Sequence, residues 1–550
     1  KGPAVVESGA RTRGHRFLPR GTAGAPLDVT GAKDYHERLA AAFVMLDPAE
    51  RESRIRRQLG ALGELRDDHG LLEEWRDLVE YPTVVAGTVP VEFEALPPEV
   101  LETVLVHHQK YVPLVVEAGA RQRFAALIGS DPDAAPAIVR GMERVVVARL
   151  RDGVFFFKED RKRRLEDRIA DLVGVTFHQK LGSYREKAER MAKLVDAMHE
   201  GGLLSAQEHG AARQAALLAK ADLTTQMVRE FPELQGVMGA VYLRAEGDVP
   251  ACVAEAVQWH YHPVSVEADA PPLPAQLADV KVFAAVSLAD KLDTLAGYFG
   301  INQGPTGSRD PYGLRRAGQG VIRVLLDFWP AATSAVRPSL RPLLATAVAT
   351  YHDVLPLTPD ARSECDNALN SFLVGRLEYV LTSRGYPADE VDAVLHTDPI
   401  EKYPLDDAHD CFLRVKALHK VRAEFAMDFE QLAVAFKRAR NILQKDLEDN
   451  PARARGFFDE RLLTHDAEKA LYVELERTRK SWKDASAAEM LLEYEGRLRS
   501  FAEVRKAVDR FFLEVLVMDP DEKIRNNRLG LLEYLVKPVY RIADISRLGG

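Results

Sequence analysis

Four side chains in this sequence carry donors able to hold a divalent ion that activates water: Asp222, His260, His262 and Asp290. Carboxylate and imidazole are the ligands that hydrolytic metal sites use. Asp222 lies in KADLTT, the two histidines in WHYHP and Asp290 in SLADKLD. At about 100° per residue, a helix places Val282, Val286, Ala289, Asp290, Asp293 and Gly297 on one face, so two carboxylates sit one turn apart inside an apolar stripe. The residue before Asp222 is Ala221, and alanine donates nothing to a metal, so the set is short of donors. His260 and His262 are therefore expected at the surface or at a helix end.

A second chemistry suggested by spacing is phosphate binding. Residues 287–326 predict helix, turn, helix, with GPTGSRDP as the turn. Asp310 is expected to cap the second helix, with Pro311 at its first position. Arg309, Arg315 and Arg316 surround that start, and a glycine-bearing turn into a helix N-terminus can hold a phosphate. The plain alternative is a connection between two packed helices; the P-loop spacing GxxxxGK[ST] is absent. Also absent are GxSxG, HExxH, a Gly-rich dinucleotide loop and the HIGH-like and KMSKS-like signatures of class I synthetases. No self-sufficient catalytic set is visible.

The remaining candidates are cationic. In DFEQLAVAFKRARNILQK, Leu432, Ala435, Phe436, Ala439, Ile442 and Leu443 form one stripe, while Lys437, Arg438, Arg440 and Lys445 lie opposite with no acid between 431 and 445. Such a face either contacts RNA or is merely solvated. A last helix is expected from Asp519-Pro520, with Arg525 and Arg528 inside its apolar stripe, where a charge needs a partner or an interface. KEDRKRRLEDR (158–168) mixes signs and predicts a solvated face.

These residues must be positioned by a chain of 550 residues, long enough for three or four domains of about 100–200 residues each. Net charge is −9, so any nucleic-acid contact must use local basic patches and not a global field. Cys252, Cys365 and Cys411 are too far apart for a CxxC zinc or redox motif, which fits a reducing cytoplasm. No apolar run is long enough to span a membrane. The chain starts at Lys1, not Met, so a missing N-terminal part or a processed product is expected. Gly and Pro are frequent to Gly31; a helical, charged stretch follows to about Leu78, then a strand-like run, then a helix opened by Pro97-Pro98. From about Ala134 the pattern is helical, with breaks at 263–278, 351–362 and 397–408.

Segments along the chain carry a resemblance: TRGHRF (12–17), VHHQKYVPL (106–114), RVVVARLRDGVFFFKED (144–160), FHQKLGSYREKAERM (177–191), KADLTTQMVREFPELQGVMG (220–239), the 289–323 segment and IRNNRLGLLEYL (524–535). In this order they resemble the beta subunit family of bacterial glycyl-tRNA synthetase, with a departure in the segment after Leu114. The LADKL segment also resembles the final aspartate segment of the HD superfamily of metal-dependent phosphohydrolases, and an active HD-type enzyme is the alternative reading. The resemblance implies a mainly α, multidomain fold: an incomplete α+β editing-like domain at 1–130, a degenerate HD-like helical domain at 131–345 holding Asp222 and Asp290, a helical linker at 346–404, and an anticodon-binding helical domain at 405–550. It implies a component of glycine–tRNA ligase that binds glycine tRNA, has no catalytic residue or metal of its own, and leaves ATP, Mg and glycine activation to an alpha partner. The assembly implied is two alpha and two beta chains, or a dimer if alpha and beta are fused, in the cytoplasm. Arg309, Arg315, Arg316, Lys437, Arg438, Arg440, Lys445, Arg525 and Arg528 are the expected tRNA contacts.

Overall fold

A computed structural model describes residues 9–19, 21–63, 70–115, 122–264, 276–329, 336–397, 403–482 and 489–548. The chain divides into two compact units: 1–168 with 221–246, and 169–220 with 247–550. Helix dominates both, as the mainly α reading requires.

The first unit holds the described sheet of more than two strands. Arg123–Ile128 is its centre, pairing antiparallel with Thr83–Thr88 on one side and Val112–Leu114 on the other. Its apolar face packs on Ile55, Leu59, Leu71, Leu72 and Trp75 from the charged helical stretch. That stretch is amphipathic, which is why it can be charged and still supply a core. The helix opened by Pro98 widens into a π-turn over Thr103–His108. Ala135–Asp160 then runs as one long helix, packed on the Thr83–Thr88 strand.

Most of 158–168 is exposed, as a solvated face requires, but Asp160 and Arg168 depart from it. Asp160 is buried, and its carboxylate accepts from Gln226 N (2.9 Å), Met227 N (2.9 Å) and the Tyr242 hydroxyl (3.0 Å). Arg168, also buried, is its ion-pair partner at 3.4 Å. Burial and the facing Asp160 push the Tyr242 phenol well above its ordinary range. One carboxylate thus ties the returning 221–246 segment to the end of the long helix, a long-range pairing that local charge pattern does not encode.

The second unit is organised around the helix Val280–Gly300. The predicted single apolar face understates it, since nearly every residue from Val282 to Tyr298 is buried. Helices 184–200, 206–218, 251–259, 314–323, 340–349 and 359–383 pack around it. A helix apolar all round has no solvent side to present. Farther along, helix Met490–Glu514 packs with Ala408–Glu424, Ala426–Asp449 and Asp466–Ser481, and Glu522–Tyr540 packs with Ala426–Asp449 and Asp466–Ser481. Gly530 admits the connection between Asp449 and Asp466 against helix Glu522–Tyr540: a Cβ there would run into the backbone carbonyl of Phe457. Of the predicted breaks, 265–275 and 398–402 lie outside the described residues, as does 116–121, the departing segment after Leu114. The break at 351–362 ends at Thr358, where its side chain caps the helix Pro359–Ser383.

Candidate functional site

Helix Val280–Gly300 brings Asp290 and Asp293 into the core of the second unit, and a charge buried there must be matched. Four cations do so. Helix Tyr184–Glu200, started by a capping box of Ser183 and Glu186, supplies Lys187 and Arg190. Lys187 Nζ lies 3.1 Å from Asp290 Oδ1 and 3.1 Å from Asp293 Oδ2, and also donates to Thr294 Oγ1 at 2.8 Å. Arg190 Nε donates to Asp293 Oδ1 at 2.6 Å. The Tyr351 hydroxyl donates to Asp293 Oδ2 at 3.1 Å, an approach that Gly297 allows: a Cβ on it would meet that hydroxyl at 2.5 Å.

Lys220 decides the chemistry. Its Nζ is 3.0 Å from Asp290 Oδ1 and 2.8 Å from His260 Nε2. An ammonium therefore lies between the two groups that a metal ion would have to bridge. His260 Nδ1 sits 2.7 Å from the Val257 carbonyl, so Nδ1 carries the proton and Nε2 accepts from the lysine. Burial, then the Lys220 charge, hold the imidazole well below its usual pKa. Lys291 donates to the carbonyls of His260 (3.0 Å) and His262 (3.1 Å) and to Ser287 Oγ (2.8 Å). Burial pushes Lys291 down to about 7, Lys220 and Lys187 adding to it against the pull of Asp290. Burial raises the Asp290 carboxyl, but Lys187 and Lys220 outweigh it and hold the group far below the carboxylate range.

Of the two positions expected for it, His260 takes the helix end, capping the helix that stops at Trp259, and it is fully buried there. The Asp222 carboxylate, in the first unit, accepts from Gly236 N (2.6 Å) and Gly239 N (3.1 Å), anchoring a turn and a helix start. The donors do not fit a metal: no group of three or more His, Cys, Asp or Glu side chains among the described residues is arranged to hold one. The HD-type alternative is not supported.

The GPTGSRDP turn forms, closed by Thr306 and Arg309, but the second helix begins three residues later than predicted, at Leu314 after Gly313. Asp310 still caps it from a distance, accepting from Leu314 N and Arg315 N at 2.8 Å each. A carboxylate on those amides fills the place a phosphate would take. Arg315 donates to the Gly307 carbonyl, while Arg309 and Arg316 remain exposed. The turn is thus the connection between packed helices.

Helix Ala426–Asp449 buries Leu432, Ala435, Phe436 and Ala439 as predicted. Its cations divide by role. Lys437 and Lys445 are exposed, and Asn441 and Gln444 are exposed near them on the same side. Arg438 is exposed but donates to the Phe512 carbonyl (3.2 Å). Arg440 pairs with fully buried Asp544 at 3.1 Å. Helix Glu522–Tyr540 is capped by Asp521, so Asp519 is released to pair with Arg528 at 2.6 Å. Arg528 is buried, binds Glu468 as well and donates to the Leu516 carbonyl. Arg525 donates to the Asp519 carbonyl at 3.0 Å. Half-buried Arg440 and buried Arg528 thus cross-link elements through buried carboxylates, unlike exposed Lys437 and Lys445. The cation partners Lys187, Arg190, Lys220 and Lys291 were missed from sequence, though a lysine next to Ala221-Asp222 was a visible cue.

Residues 3–396 match the family described as glycyl-tRNA synthetase beta subunit, and residues 432–541 match the DALR anticodon binding domain. The chain belongs to the glycyl-tRNA synthetase beta subunit family. Among its relatives, the glycine–tRNA ligase beta subunit of Trichlorobacter lovleyi is 39% identical over 553 residues, covering 99% of this chain and 74% of that protein. The beta subunit of Syntrophus aciditrophicus is 37% identical over 549 residues, with 99% and 74% covered. That of Aromatoleum aromaticum is 39% identical over 558 residues, with 99% and 73% covered. The family makes the chain part of an aminoacyl-tRNA synthetase, and the Lys437–Lys445 face lies inside its anticodon-binding domain.

Proposed function

We propose that the chain binds glycine tRNA through its DALR domain and holds it for an alpha subunit that activates glycine with ATP and Mg and transfers it to the 3′ end. The observation that carries this is the helix Ala426–Asp449, which shows solvent Lys437, Asn441, Gln444 and Lys445 within the anticodon-domain match. Two lysines suit phosphates, which position, and two amides suit the edges of splayed bases, which specify. The buried lysine-filled cluster, by contrast, has no open position for a substrate, which supports an architectural role for the HD-like region. In this reading the boundaries fall near 130, 345 and 404, the assembly is two alpha and two beta chains in the cytoplasm, or a dimer if the two are fused, and no cofactor binds this chain.

The test is tRNA titration at several salt concentrations with Lys437→Glu/Lys445→Glu. The expected outcome is weaker binding, with the salt slope reduced by about 1 for each phosphate that is no longer neutralised. Unchanged affinity and slope would remove this face from the RNA.

A further inference from the structure

Helix Ala135–Asp160 carries three arginines, Arg140, Arg144 and Arg151, that none of the functions above uses. At 100° per residue they lie within about 40° of one another, over a length of roughly 16 Å. All three are exposed. With Thr88, Pro90 and Val147 they line a cleft of about 750 Å³ in the first unit. Glu143 also lines it, but its carboxylate is committed to Thr88, accepting from N and Oγ1 at 2.9 Å each. Among the described residues no carboxylate pairs with Arg140 or Arg144, and Arg151 has only Glu92 at the 4.0 Å limit, with both side chains exposed.

This arrangement differs from three other helix arginines in the chain. Arg38, Arg56 and Arg185 each have an acid four residues before or after, at 2.6 to 2.7 Å. Arg140 and Arg144 stand four apart with like charge, which opposes helix formation, in a chain whose net charge is −9. Arg144 Nε donates to the Arg140 carbonyl at 3.3 Å, a neutral partner that leaves its charge open to an external anion.

We propose that Arg140, Arg144 and Arg151 track the sugar-phosphate backbone of the tRNA, at a stretch other than the anticodon loop. The patch concentrates positive charge, whereas the core of a protein–protein interface is depleted in charge. It has no amide side chain to read a base, so it positions and does not specify. Guanidinium groups one helical turn apart present forked donors to successive phosphates. The inference rests on the reading that the chain binds tRNA.

The test compares wild type, Arg140→Gln/Arg144→Gln/Arg151→Gln and the matching triple lysine variant, in the full-length chain with its alpha partner. Glutamine keeps helix propensity close to arginine, and circular dichroism checks the fold. Binding of whole glycine tRNA and of its isolated anticodon stem-loop is measured from low to high salt. The glutamine variant should bind whole tRNA about tenfold or more weakly at low salt, with a slope shallower by about 2 to 3, while the stem-loop binds as before and the lysine variant keeps most of the affinity. Unaltered whole-tRNA affinity and slope in the glutamine variant overturn the proposal while leaving the anticodon reading intact. Equal loss for tRNA and stem-loop, or a loss of alpha association in place of tRNA affinity, overturns it too. If wild type itself fails to bind glycine tRNA, both readings fall.

Discussion

Lys220 and Lys187 illustrate how single residues fix what the central cluster can do. Each ammonium is buried and bound to a buried carboxylate, so the charges are neutralised internally. Lys187→Met should cost about 3–5 kcal/mol of stability, because it leaves Asp290 and Asp293 short of a cation in the interior. Urea denaturation checks this, and the double variant Lys187→Met/Asp290→Asn should recover part of the loss. The histidines give a pH dependence. Burial, then Lys291 and Arg323, lower His262 to about 4. Between pH 4 and 6.5 the unfolded chain then binds more protons than the folded one, so stability falls on acidification through that window. The share from His262 is up to roughly 3 kcal/mol. His262→Gln should flatten the dependence of the urea midpoint on pH between 7 and 5, and an unchanged slope would discount the residue.

At the scale of elements, charged residues on helices fall into those that hold helices together and those left to the solvent. Asp310 reaches back over the start of helix Leu314–Arg323, and Asp310→Ala should lower stability by about 1 kcal/mol, as loss of an N-terminal cap does. Its effect on tRNA affinity should stay within about twofold if the turn is only a connection. Arg440 and Arg528 pair with buried Asp544 and Glu468. Arg440→Gln and Arg528→Gln should therefore lower the melting temperature, by several degrees each, while tRNA affinity measured well below melting stays near wild type. Lys437→Glu/Lys445→Glu should do the reverse, weakening tRNA binding with little thermal change. Amphipathic pattern placed Arg440 on a plausible contact face and Arg528 inside an apolar stripe, where a charge needs a partner or an interface. It could not pair them, because their carboxylate partners lie 60 and 104 residues away.

For the whole molecule, the expectation is division of labour. Glycine-dependent ATP–pyrophosphate exchange should be absent with this chain alone and appear when the alpha subunit is added. Exchange by the purified chain would contradict the assignment of activation to alpha. Among the described residues no helix is long and apolar enough to cross a membrane. Charges are matched internally around Asp290 and also within the DALR match, where Lys437 and Lys445 are left exposed.

The order of motifs along the chain identified the family, the helical character and the anticodon-binding end without coordinates, because those signals are local: apolar period, caps, breaks and linear segments. It also exposed the missing ligand at Ala221. Only the tertiary structure decided which charges meet. Asp160 with the 221–246 segment, Lys220 between His260 and Asp290, and Arg528 on Glu468 join positions tens of residues apart. Burial then converts such encounters into obligatory pairs, since an unmatched charge in the interior is too costly to persist.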